Sequence, residues 1–333
     1  MSNPEKITIV HDCASAFRLD QRRKGISGIS EVYFSISADI DGQHKEWVDT
    51  PLITDEKRAE FLDVLKRCSK IETSQPNEKA FANTYWDEIQ KGKEELAVFV
   101  ISKGLSGAIN SAELGKGLSP QDLDPDTSGL SKVPLCKQAN IVVADLKTAS
   151  IGEALLITQG DMENKRGDFK NATELVQRAE DLSKNLYVAQ AIPDLDYLRR
   201  SGRIGRANHM IGKVLGIIPI ISIDEEGKLE PAVEKMRKWP RTREALIAHV
   251  ANEVGDRAVR LALVYYETDQ LDNLRHDIQG RFTIAEDEFY KPTKANEAVK
   301  YYETMIRQQD MVTSVSGGPS LGMAALVLDK RAA

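Results

Sequence analysis

Short apolar runs separated by amphipathic stretches recur along the chain, and they predict alternating strands and helices. The runs are rich in β-branched residues and end in polar residues, as buried strands do. They include residues 6–12, 95–102, 140–146 and 186–192. Further strands are predicted at 215–231, where two runs flank the turn "EEGK", and within 260–267 and 282–290.

The intervening stretches carry helix signals. Pro76 and Gly92 bracket a helix over residues 76–92, because proline suits a first turn and glycine a C-terminal cap. Helices are also predicted at 171–185, from Ala108, at 194–202 and at 294–309, whereas residues 115–134, rich in Gly, Pro and Asp, are predicted to form a surface loop.

Strands that alternate with helices predict an α/β protein with mainly parallel sheets. A chain of 333 residues exceeds what one core usually supports, so we expect two α/β domains. We place the first at residues 1–158 plus 311–333, closed by the C-terminal strand, and the second at residues 159–310.

Composition narrows the function classes. A net charge of -6 disfavours a general nucleic-acid binder, which is usually basic. The three cysteines lack metal-ligand spacing, so neither a disulfide framework nor structural zinc is expected and a reducing cytoplasm is favoured. No targeting segment is evident, and the apolar run at 215–223 is too short to span a bilayer, so we expect a cytoplasmic protein without stable membrane insertion.

Three turns combine hydroxyl side chains with backbone amides at predicted element ends, a combination that suits a carboxylate or phosphate. Each turn alone is more typical of a helix cap or a plain turn. Their residues are Thr73 and Ser74 in "TSQP", Ser106 and Gly107 in "LSG", and Ser316, Gly317 and Gly318 near the end of the chain.

Other catalytic signatures are missing from the sequence. There is no phosphate-binding GxxxxGK[ST] loop, no GxGxxG after a strand and no HExxH pair, and Ser106 does not lie in a GxSxG motif. No cofactor is therefore expected.

Taken in order, several motifs resemble those of the DegV family, the fatty-acid-binding subunits of the bacterial fatty acid kinase system. The resemblance covers nearly the whole chain, and "LDYLRRSGRIG" followed by "GKL" is its most specific part. The matching segments are "IVHDCASAF", "TSQP", "GLSGAINSA", "VVADLKTASIGEALL", "LDYLRRSGRIG", "IIPIISIDEEGKLEP" and "SGGPSLGMAAL".

The resemblance implies two α/β domains with a fatty acid in a tunnel between them, whose carboxyl group a partner kinase phosphorylates. The protein would then be a carrier, not itself a phosphotransferase. Thr73 and Ser106 match the family's carboxylate contacts, and Arg237 matches its contact to the kinase. We also expect Arg203 to serve partner docking and the acyl chain to be lined by Ile211, Val214, Leu215 and Ile220.

One departure affects the predicted mouth of the tunnel. The family's closing motif begins with histidine, whereas this chain has Ser316, so the group that titrates near neutral pH is lost there. The alternative function is an enzyme acting on a small phosphorylated or keto substrate, because the family's N-terminal fold is shared with a dihydroxyacetone-kinase domain. Ser316 in the position of the family's histidine and the absence of a nucleotide motif weigh against it.

Overall fold

In a computed structural model of the chain, the described residues are 7–16, 28–40, 42–49, 55–68, 70–126, 129–210, 216–233, 236–266, 269–283, 306–308 and 320–328. The strands form three sheets. They are Ile7–Asp12 (β1), Ile29–Val32 (β2), Ser35–Ile40 (β3), Gln43–Val48 (β4), Ile71–Ser74 (β5), Glu95–Val100 (β6), Asn140–Asp145 (β7), Leu186–Ala191 (β8), Ile220–Ile223 (β9), Leu229–Val233 (β10), Val259–Tyr266 (β11), Ile306–Gln308 (β12) and Ser320–Val327 (β13).

The helices follow from local signals such as caps. Asn77, for example, accepts a hydrogen bond from the Ala80 amide and starts the second helix, and Gly92 lies just beyond its end in the left-handed region. The helices are Asp55–Arg67 (α1), Glu78–Gln90 (α2), Ala108–Gly115 (α3), Pro120–Leu123 (α4), Ile151–Lys165 (α5), Ala172–Ser183 (α6), Asp196–Arg200 (α7), Trp239–Val254 (α8) and Leu271–Asp277 (α9), with 3-10 turns at Leu135–Lys137 and Gly205–Met210.

The first sheet is parallel, with the strand order β2-β1-β6-β7. Its strands β1 and β6 are almost wholly buried, as their mainly apolar, non-alternating sequences predict for a sheet covered on both faces. Helices α2 and α3 pack together on one side, and α6 contacts β6 and β7. This arrangement confirms the predicted α/β class with a parallel sheet.

Helix α5 lies between the first sheet and a second, six-stranded one. Twelve of its 15 residues are buried, so it is enclosed on nearly all sides. Its Leu155 belongs to one core cluster with Ile9 of β1 and Val264 of β11. The core therefore runs continuously from one sheet through α5 to the other.

The second sheet has the order β10-β9-β8-β13-β11-β12 and is antiparallel except between β11 and β12. Parallel pairing thus dominates only the first sheet. A short β9–β10 hairpin accounts for part of the difference, because a tight turn joins antiparallel strands. Helix α8 covers the outer face of this sheet, where Leu246 and Val250 pack against its apolar side chains.

The C-terminal strand corrects our domain prediction. We predicted that it closes the first domain, but β13 pairs with β8 and β11 in the middle of the second sheet. All eight of its residues are buried, which suits a central strand with neighbours on both sides. The division into two domains stays a prediction, and this strand does not belong where we placed it.

Two other predicted segments differ in detail. Residues 306–308 form strand β12 and so are not the end of a helix over 294–309, whose remaining predicted residues 294–305 and 309 lie outside the described residues. The predicted loop at 115–134 contains the helical turn α4, which the capping pair Ser119 and Asp122 starts. A local cap thus made a helical turn where composition predicted irregular structure.

A hydrogen bond also joins a loop of the first sheet to a loop of the second. Ser102, just after β6, donates a hydrogen bond of 2.8 Å to the backbone oxygen of Gly227 in the β9–β10 turn. Gly227 has a φ of +78°, and a Cβ there would lie 2.0 Å from Ser102 Oγ. Only glycine fits this contact, which we call the Ser102–Gly227 clasp.

Candidate functional site

A cavity that is open to solvent lies between the carboxyl ends of the parallel strands and one face of the second sheet. Ligands of α/β proteins commonly bind beyond the carboxyl ends of parallel strands. The lining residues are mostly aliphatic. They are Phe34, Thr73, Ile101, Leu105, Ser106, Ala149, Ser150, Ile151, Val188, Ala189, Gln190, Ile192, Leu198, Arg203, Ile221, Ile223, Leu229 and Val264.

Two hydroxyl groups predicted from the sequence line this cavity together. Thr73 lies in β5 and Ser106 in the turn between β6 and α3, so tertiary structure joins segments that are 33 positions apart. Ser106 Oγ accepts a hydrogen bond from the Ala108 amide at 3.2 Å and donates to Gln75 Oε1 at 3.5 Å. The hydroxyl is therefore held at the start of α3 and still borders the cavity.

Arg203 also lines the cavity, although we predicted it as a partner contact. Its Nε donates to the Leu105 backbone oxygen at 3.5 Å, and its Nη1 donates to the Ser201 oxygen at 2.6 Å. The first of these bonds ties the guanidinium to the turn that carries Ser106. The sequence offered only a run of arginines at 199–206, which is ordinarily a solvated surface.

Among the described residues, no acidic side chain pairs with Arg203. No carboxylate of the described residues lies within 4 Å of its guanidinium, and it is the one charged side chain in the described lining. Burial lowers the pKa of Arg203, because desolvation disfavours its charged form. The guanidinium stays protonated at neutral pH, so this end of the cavity favours an anion.

The other predicted site residues are placed differently. Ser74 is exposed and Gly107 lies beside Gln75, and neither belongs to the described cavity lining. Ile220 is fully buried in the core on the α8 side of β9, and its neighbour Ile221 borders the cavity in its stead, because side chains alternate along a strand. Arg237 is exposed. Ile211, Val214, Leu215, Ser316, Gly317 and Gly318 lie outside the described residues.

Two polar lining residues, Ser150 and Gln190, were not predicted. Ser150 lies at the start of α5, and Gln190 is in the apolar strand β8. The one available signal for Gln190 was an amide inside the strand "LYVAQAI", at a position that alternates with buried alanines. Nothing local distinguished Ser150 from an ordinary helix cap.

A buried His–Asp pair lies at the end of β1. The Asp12 carboxylate accepts hydrogen bonds of 2.9 Å from the amides of Ala14 and of Ile101, a lining residue. His11 Nδ1 lies 2.9 Å from the Asp12 backbone oxygen and 3.2 Å from Ser15 Oγ. Burial raises the pKa of Asp12 to about 7 and lowers the pKa of His11 to about 4. Both groups therefore favour their neutral forms.

The described part of the chain contains no group of three His, Cys, Asp or Glu side chains arranged to hold a metal ion. Nor does it contain a helix with the length and apolar character needed to cross a bilayer.

The curated proteins to which the chain is similar include DegV domain-containing proteins of two bacteria. The chain is 29% identical over 211 residues to the DegV domain-containing protein YteA of Lactococcus lactis, covering 63% of this chain and 67% of that protein. It is 28% identical over 225 residues to a DegV domain-containing protein of Staphylococcus aureus, covering 68% and 71%.

Two solved structures share the fold over nearly the whole chain. One is a fatty-acid-binding DegV family protein from Thermus thermophilus, with a TM-score of 0.73, 22% identity and coverage of 97% of this chain and 100% of that one. The other is the Streptococcus pneumoniae fatty acid kinase B3 protein loaded with linoleic acid, with a TM-score of 0.73, 16% identity and the same coverage.

The family model describes an uncharacterised protein of the DegV family and matches residues 6–314. That span contains β1 to β12 and every described residue that lines the cavity. The chain therefore belongs to the DegV family.

Proposed function

We propose that the protein binds a long-chain fatty acid in this cavity, with the carboxylate at Thr73, Ser106 and Arg203. The observation that carries the proposal is the partly buried guanidinium of Arg203, the one charged group in the described lining, in a mainly aliphatic cavity that Thr73 and Ser106 also line. A carboxylate supplies the missing negative charge, and an alkyl chain covers the apolar walls. The fatty acids bound by the structural relatives agree with this ligand class.

The free energies of burying methylene groups and of desolvating a carboxylate favour different locations for the two ends of the ligand. Each methylene removed from water contributes about 0.8 kcal/mol, so a long chain gains from the aliphatic walls. A carboxylate carried into those walls would lose its hydration without a partner. It therefore stays where Ser106 and Arg203 supply donors, and charge-assisted hydrogen bonds of this kind contribute roughly 1.5–3 kcal/mol each.

The first experiment separates head-group recognition from chain burial. Affinities for palmitic acid and for 1-hexadecanol are measured by displacement of a fluorescent fatty acid. The wild-type protein should prefer the acid, and Arg203→Met should lose most of that preference while keeping affinity for the alcohol. Arg237→Ala is the matched control, because Arg237 is exposed. An unchanged acid preference in Arg203→Met would remove Arg203 from the site.

We further propose that the bound carboxyl group is presented to a partner kinase, which converts it to an acyl phosphate. The similarity in fold to the kinase B3 protein supports this step, and the exposed position of Arg237 suits a protein contact. Arg237→Ala should keep palmitate affinity and reduce acyl-phosphate formation with a fatty acid kinase. Loss of palmitate binding itself would contradict the docking role.

A further inference from the structure

The hydroxyl group of Ser150 is buried, borders the cavity and has no hydrogen-bond partner among the described residues. Ser150 is 7% exposed, and it is the N-cap of the 15-residue helix α5 without making the usual cap bond. Buried hydroxyls in folded proteins are nearly always hydrogen-bonded. A polar group of a bound molecule would supply the hydrogen-bond partner that the Ser150 hydroxyl lacks.

The backbone at Ser150 explains why the side chain does not cap its own helix. Its φ is +53° and its ψ is -127°, whereas a capping side chain requires an extended backbone. The conformation is held by two hydrogen bonds, from Ser150 N to Ala14 O at 3.0 Å and from Ala16 N to Ser150 O at 3.1 Å. The fold thus holds this serine in a left-handed conformation that L-residues rarely adopt, with its hydroxyl at the cavity.

An amide lies in the facing wall. Gln190 lines the cavity from β8, and its Nε2 donates a 2.6 Å hydrogen bond to the fully buried Ser320 Oγ. The two walls meet next to it, because a Cβ on Gly152 of α5 would lie 2.7 Å from Val188 Cγ2. Val188 is two positions from Gln190 on the same face of the strand. Ser150 and Gln190 therefore each place a polar side chain in the cavity lining, one on each of the two facing walls.

On the basis of the proposed fatty-acid binding, we propose that Ser150 and Gln190 bind a hydroxyl group on the acyl chain, so that the preferred ligand is a long-chain hydroxy fatty acid. A hydroxyl substituent both donates and accepts, and the unpartnered Ser150 hydroxyl can do both in return. The α5 N-terminus adds donors that favour an oxygen acceptor. A second carboxylate fits less well, because Arg203 is the one charge in the described lining.

The Ser150 hydroxyl should make the cavity discriminate between hydroxylated and unsubstituted acyl chains. An unsubstituted alkyl chain packed against Ser150 would bury its oxygen without a partner, and a site that hydrogen-bonds a hydroxyl disfavours the analogue lacking it. The aliphatic walls cannot supply this partner. We therefore expect an affinity difference between ligands that differ by one oxygen atom.

The test compares stearic acid with its 2-, 3-, 10- and 12-hydroxy derivatives in competition with a fluorescent fatty acid. At least one isomer should bind the wild-type protein about fivefold more tightly than stearic acid. Ser150→Gly should remove that preference without disturbing the fold, because glycine accepts a positive φ. Gln190→Leu should weaken it independently, and Ser106→Ala should lower the affinity of all five ligands alike.

Two results would overturn the inference. One is stearic acid binding at least as tightly as every hydroxy isomer, which would leave fatty-acid binding itself intact. The other is a hydroxyl preference that survives both Ser150→Gly and Gln190→Leu. If none of the five acids bound the wild-type protein, the proposed function would fail first, and this inference with it.

Discussion

The two walls of the cavity differ in how they are built and in what they contribute. One wall consists of loops beyond the carboxyl ends of parallel strands and carries Ser106 and Ser150. The other is the face of a mostly antiparallel sheet and carries aliphatic side chains such as Val188 and Ile221. Parallel strands collect loops at one edge, whereas strand alternation gives a continuous apolar face. The loops of the parallel sheet therefore supply the polar contacts, and the face of the antiparallel sheet supplies most of the apolar surface.

Arg203 and Gln190 qualify this contrast. Arg203 follows α7, near the second sheet, yet it reaches the Leu105 turn of the first wall. Gln190 places an amide in the apolar wall. Each therefore adds a polar contact from the side of the cavity that otherwise buries hydrocarbon.

The largest expected effect comes from breaking the Ser102–Gly227 clasp that joins the two walls. Gly227→Ala should lower the free energy of unfolding by about 3 kcal/mol, because a Cβ at that φ is strained and displaces the Ser102 hydroxyl. Gly92→Ala is the control, since Gly92 has a similar φ of +81° and nothing within 4 Å of a Cβ. It should lose only about 1 kcal/mol. Equal losses in urea unfolding would show that the contact contributes nothing.

The next largest effect is the pH dependence of stability that the buried Asp12 and His11 produce. The unfolded pKa of Asp12 is 3.8 and its folded pKa about 7, so the native state alone keeps this proton and stability falls as pH rises between these values. The unfolded pKa of His11 is 6.5 and its folded pKa about 4, so the unfolded state alone is protonated and stability falls as pH drops between these values. The two slopes oppose each other between pH 4 and 6.5.

Single substitutions should separate these slopes. Relative to wild type, Asp12→Asn should become more stable as pH rises from 4.5 to 6, and His11→Asn less stable, each by up to about 1.4 kcal/mol per pH unit. Urea unfolding at several pH values gives the differences. Slopes of the same sign in both variants would contradict the burial effects.

A smaller effect is expected at the head group. Ser106→Ala should weaken palmitate binding about tenfold, because one donor to the carboxylate is lost. Ser74→Ala should leave binding unchanged, since Ser74 is exposed and outside the described lining. The same displacement assay compares both. Equal losses in the two variants would place the carboxylate elsewhere along the polar wall.

The smallest effect concerns Ser316, and it rests on the sequence, since this residue lies outside the described residues. Serine does not titrate near neutral pH, so wild-type binding should vary little between pH 5.5 and 7.5, around the ordinary imidazole pKa of about 6.5. Ser316→His should introduce a pH-dependent affinity. A strong pH dependence already present in the wild-type protein would contradict this prediction.

The sequence by itself determined the local elements and the family. Mainly apolar runs predicted β1 and β6, Gly92 marked the end of α2, and the order of the motifs indicated a DegV protein, which the family match confirms. It also identified Thr73 and Ser106 as candidate hydroxyls at one site. These features depend on patterns within a few residues, because hydrophobic periodicity and caps act over one or two turns.

Only the tertiary structure decided which elements meet. The place of β13 between β8 and β11 depends on partners far along the chain, and an apolar strand pattern fits either sheet equally well. The position of Arg203 at the cavity depends on a bond to Leu105, 98 positions away. The backbone conformation of Ser150 depends on its hydrogen bonds with the backbones of Ala14 and Ala16, more than 130 positions earlier in the chain. Local periodicity determines which face of an element is buried, but contacts across the chain determine what that face is buried against.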